Sequence, residues 1–116
     1  MTETATPLDR LPEIADAVSL MSLINDPARP ALVLFAVGGH GPAQRQEERL
    51  LRLPQAGTAV NLARVDVDRL QEVAQTYGVK GAPALVLFRS GQAVAQRLGE
   101  IADDDLLDWI ESELAT

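Results

Sequence analysis

The chain contains no cysteine. That absence excludes disulfide bonds, thiolate metal sites, thiol nucleophiles and thiol–disulfide exchange, a reaction that needs one sulfur to attack and another to leave. Aromatic residues are also scarce, 3% of a sequence that is 47% hydrophobic. The core must therefore be assembled from Leu, Val, Ile and Ala, with Phe35, Tyr77, Phe88 and Trp109 as its few large pieces. Basic residues are in deficit, 10 Lys and Arg against 17 Asp and Glu, for a formal charge of −7. Because the basic residues are scattered rather than gathered, neither nucleic acid nor an anionic membrane is expected as a partner. No apolar run approaches the roughly 18 residues of a membrane span. The opening MTETATPLDRLPEIADA lacks a basic region followed by an apolar stretch and a cleavage site, so the cytoplasm is the expected location.

What is present fits one domain. A chain of 116 residues buries roughly two-thirds of the surface its unfolded form exposes, enough for a single core. Residues 1–11 are polar with a proline and read as a flexible lead-in, with the domain over 12–116. Ile14, Ala17, Val18, Met21 and Ile24 recur at helical spacing and predict a first helix over roughly 12–25. After the break at NDPARP, ALVLFAV reads as a strand covered on both faces. A second helix is expected from Pro42 to about Leu53, then a strand in AVNLARVDV and a short helix in DRLQEVAQTYG with Gly78 as its stop. ALVLF and QAVAQRL, separated by a turn at Ser90 and Gly91, predict a hairpin. DDDLLDWIESEL closes the chain as an amphipathic helix whose first acids complement its dipole. A strand–helix–strand unit followed by an antiparallel hairpin gives an α/β mixed sheet with helices on both faces.

The stretch GGHGPAQR, residues 38–45, carries the only histidine, His40, at the entry to the second helix. Acid–base catalysis would require a placed nucleophile or acid, and no serine, threonine or cysteine accompanies His40 in the turn. A solvent-facing residue, a contact residue and a general base acting on water are the roles open to it. No second nitrogen or carboxylate stands at metal-ligand spacing, so no metal is expected. Gly38, Gly39 and Gly41 could present backbone N–H groups to an anion, but the spacing is neither a phosphate loop nor a dinucleotide fingerprint. No cofactor is expected.

Read together, VLFAVGGHGPAQR, LARVDVD, YGVKGAPALVLFRSGQAV and LGEIADDDLLDWIESEL resemble the thioredoxin family over roughly residues 12–115. The resemblance implies the thioredoxin fold, a central mixed sheet of four or five strands flanked by about four helices. The departures coincide with the family's chemistry. His40 and Ala43 stand where the family has its two cysteines, Gly39 where it has tryptophan, and Leu34 where it has a buried acid. An unpaired buried carboxylate is costly, so leucine is the cheaper residue once no thiol needs the acid.

The resemblance also implies a cis bond before Pro83 and a groove in which the backbone of Ala82 pairs with an extended peptide, a contact needing no side-chain chemistry. The expectation is a redox-inactive, chaperone-like adaptor or assembly factor. It would bind a protein or extended peptide across Gly39, His40, Gly41, Pro42, Ala82, Pro83 and Gly99, with no catalytic residue. Two alternatives stay open: a small-molecule or hydrolytic site built on His40 and the glycine turn, and a structural subunit in a homo-oligomer.

Overall fold

The computed structural model describes residues 10–38, 41–53 and 59–115. Its elements run α1 (Ala17–Ile24), β1 (Ala31–Ala36), α2 (Pro42–Leu51), β2 (Asn61–Asp66), α3 (Gln71–Thr76), β3 (Ala84–Arg89), β4 (Gln92–Leu98) and α4 (Asp103–Leu114). The sheet has four strands in the order β2-β1-β3-β4. β1 runs parallel to β2 and antiparallel to β3, and β4 is antiparallel to β3. All six residues of β1 are buried, as its unbroken apolar sequence requires of a strand covered on both faces.

Strand alternation divides the core in two. Leu32, Leu34, Leu85 and Leu87 pack toward α2 and α4, where they meet Leu50, Leu106, Trp109 and Ile110. Val33, Phe35, Val86 and Phe88 face the other way, onto Leu20 and Ile24 of α1 and Val73 and Ala74 of α3. Tyr77 closes that side edge-on to Phe88, with ring centroids 5.1 Å apart. Ser90 and Gly91 form the β3–β4 turn with φ of 52° and 85°, the two positive values of a type I′ hairpin turn. The Gly91 amide donates to the Ile24 carbonyl at 2.8 Å, tying the turn to the end of α1.

The first helix starts later than its apolar spacing suggests. Asp16 is its cap and accepts from the Ser19 amide at 2.8 Å. The residues before it are extended instead and lie along the outer edge of β2. Arg64 donates its amide to the Pro12 carbonyl at 2.9 Å, and Ile14 donates to the Arg64 carbonyl at 2.8 Å, forming a parallel bridge between Glu13 and Arg64. The physical reason is competition: open backbone groups on β2 take up the ones that a helical turn through Pro12 would have used. The third helix is likewise shorter than expected. Asp66 accepts from Arg69 and Leu70 at 3.1 and 3.0 Å, so the chain turns before it becomes helical.

Candidate functional site

Register places the predicted site residues. Phe35 lies opposite Ala84, Ala84 opposite Leu98, and Ala36 beside Asp66. The ends of β1, β2 and β4 and the start of β3 therefore share one end of the sheet, where Gly41, Pro42, Ala82, Pro83 and Gly99 all emerge. The Ala82–Pro83 bond is cis. The Gly99 amide donates to the Pro83 carbonyl at 2.8 Å, which joins those two segments directly. Gly41 caps α2 with a φ of 59°, Pro42 fills the first helical position and is exposed, and Ala43 is buried. Gly39 and His40 lie outside the described residues. Ala82 is exposed, and two apolar side chains stand free at this end, Val37 at 48% exposure and Leu98 at 54%.

The segment after Gly99 is held rigidly against α2. Gln46, fully buried, accepts from the Ile101 amide at 2.6 Å and donates to its carbonyl at 3.3 Å. Arg49 adds a second donor to that carbonyl at 3.0 Å. Outside this buried amide lies a charged fringe: Arg45 grips Glu100 through two hydrogen bonds of 2.9 and 3.0 Å, Arg49 reaches Glu100 at 2.8 Å, and Arg52 reaches Asp103 at 2.9 Å. The Arg45 hydrogen bond holds the Glu100 carboxyl below its ordinary value and in turn raises Arg45.

Sequence reasoning missed the group beneath the turn. Arg64, in the middle of β2, is 5% exposed, and Glu47 of α2 is 7% exposed. Their Nη1 and Oε1 atoms are 3.6 Å apart. Arg64 Nη2 donates to the carbonyl of Gly38, and Glu47 Oε2 accepts from the Leu11 amide at 2.8 Å. Arg64 pairs in register with Leu34 and shares its face of the sheet. The legible signal was an arginine inside the otherwise apolar LARV, with Glu47 between Ala43 and Leu50 on the inward stripe of α2.

Among the described residues no group of three His, Cys, Asp or Glu could hold a metal. No described helix is long and apolar enough to cross a membrane. What the arrangement offers is an exposed Ala82 beside Pro83 and Gly99, apolar side chains at Val37 and Leu98, and a buried charge pair below.

The family model for Thioredoxin matches residues 14–112. The chain belongs to the thioredoxin family. A thioredoxin of Rhodospirillum rubrum is 31% identical over 86 residues, covering 73% of this chain and 83% of that one. The structure of a point-mutant thioredoxin from Halobacterium salinarum superposes with a TM-score of 0.80 at 34% identity, over 96% of both chains. Thioredoxin from Fasciola hepatica gives a TM-score of 0.77 at 28% identity, over 89% of this chain and 99% of that one. The thioredoxin fold is thus present, with four helices around a four-stranded mixed sheet among the described residues. This thioredoxin-family chain holds no cysteine, and its Leu34 is completely enclosed.

Proposed function

We propose that this chain is a redox-inactive member of the family that binds an extended protein segment at the Ala82–Pro83 end of the sheet, as an adaptor or chaperone-like module. The observation that carries the reading is the exposed Ala82 beside a cis Pro83 that is tied to Gly99, with Val37 and Leu98 as exposed apolar side chains at the same end. Backbone strand addition needs only unpaired N–H and C=O groups and pockets for alternate side chains. Electron transfer through paired sulfurs is closed to a chain without sulfur pairs. The charge of −7 favours neutral or basic segments over acidic ones.

The reading is tested by selecting peptides from a random display library on the purified chain and on Ala82→Arg. Selected peptides are expected to bind the unsubstituted chain, to shift the amide resonances of Val37, Ala82 and Gly99, and to lose affinity at least tenfold to the variant. Binding unchanged by Ala82→Arg would reject the site. Acceleration of insulin reduction by dithiothreitol would reject the redox-inactive assignment.

A further inference from the structure

We propose that the extended segment at residues 11–14 is a strap whose seating sets the conformation of Gly38, with the buried Glu47–Arg64 pair as the positioning link that joins them. Segments far apart in the chain converge on one residue, Arg64. The backbone of Arg64 is bonded twice by the strap: its amide donates to the Pro12 carbonyl, and its carbonyl accepts from the Ile14 amide. Leu11 and Ile14 plug the strap into opposite faces of the domain, Leu11 into the cluster under α2 and α4, Ile14 into the cluster under α1 and α3. The Leu11 amide then fixes one oxygen of Glu47, the other oxygen faces Arg64, and the far end of the guanidinium holds the Gly38 carbonyl.

Burial makes this chain of contacts cooperative. With both charged side chains almost fully enclosed, neither can swing into water while the strap is seated, and a lone buried charge is strongly unfavourable. Among the described residues, Nε and Nη1 of Arg64 have no hydrogen-bond acceptor, so the Gly38 carbonyl is the bond that orients the group. Lifting the strap removes the Leu11 donor from Glu47, opens the β2 edge to water and lets the guanidinium leave Gly38. Two arrangements result rather than a continuum. Coupling of this kind is reciprocal, so a change in the turn must alter the seating of the strap by the same factor.

The test uses the full chain, uniformly labelled, and reads the population of the minor conformer by NMR relaxation dispersion at Leu11 and at Gly38. Ile14→Ala weakens the strap on the face away from the turn. It is expected to raise the minor population at both positions about tenfold. In a Glu47→Gln background the same substitution should still raise it at Leu11 and change Gly38 less than twofold. A rise at Gly38 that is equal with and without Glu47, or no rise at all, would overturn the proposal. Should Glu47→Gln fail to fold, the unsubstituted chain decides: Leu11 and Gly38 must share one exchange rate and one population, and two independent rates reject the coupling.

Discussion

Helix α2 carries two charge systems that differ in their access to water and in how closely their partners approach. On its inner side Glu47 meets Arg64, both nearly enclosed. On its outer side Arg45, Arg49 and Arg52 meet Glu100 and Asp103, and there the Arg52 and Asp103 side chains are more than half exposed. Charge counting would rank the outer system first. Physics ranks it second, because exposed pairs trade water for each other at little net gain, whereas a buried charge stripped of its partner has nothing to replace it. Between the two lies Gln46, neutral and fully buried, which holds the Ile101 backbone at both its amide and carbonyl.

Removing one inner partner should have the largest effect. Glu47→Leu is expected to cost about 3–5 kcal/mol in urea unfolding. The double variant Glu47→Leu with Arg64→Met should recover most of that loss, since no buried charge is left unpaired. A double variant as unstable as the single one would show that the cost lies in lost packing. Gln46→Ala should come next, at about 1–3 kcal/mol, because it strands the buried amide of Ile101, while the carbonyl keeps its bond from Arg49.

Gly91→Ala makes a comparison outside α2, where strain rather than charge decides. A Cβ there would come within 2.1 Å of Asn25 Oδ1, at a φ of 85°. The expected loss is about 1–3 kcal/mol by thermal unfolding.

The smallest effect belongs to the outer system. Because the Arg45 hydrogen bond depresses the Glu100 carboxyl, the unfolded chain takes up that proton more readily than the folded one. The contribution is complete at neutral pH and drains away as the pH falls through the ordinary carboxylate range toward the depressed value. Glu100→Gln should therefore lower the urea midpoint slightly at neutral pH, not at acid pH, and high salt should shrink even that difference. A large loss from Glu100→Gln at neutral pH would reverse the ranking of the two systems.

Much of the fold was legible because it follows from local rules. ALVLFAV and ALVLF are too apolar to lie anywhere but in the middle of the sheet, and Ser90-Gly91 admits the turn it makes. The error at the first helix has a definite cause. Ile14, Ala17, Val18, Met21 and Ile24 fit a helical period, yet Ile14 is buried as part of an extended segment and Val18 and Met21 are exposed. Periodicity reports which residues are apolar, not which partner their backbone finds. At the candidate site, Ala82, Pro83 and Gly99 were legible as a motif, while Arg64 and Glu47, 17 positions apart in sequence, gave no sign of meeting.

The order of strands and helices, the hairpin turn and the lack of thiol chemistry follow from residue type and nearest neighbours alone. The folded chain alone settles that residues 11–14 lie along β2 and that Arg64 and Glu47 share an enclosed space beneath Gly38. The value of a charge depends on the water around it, and that is known only once the chain has closed over it.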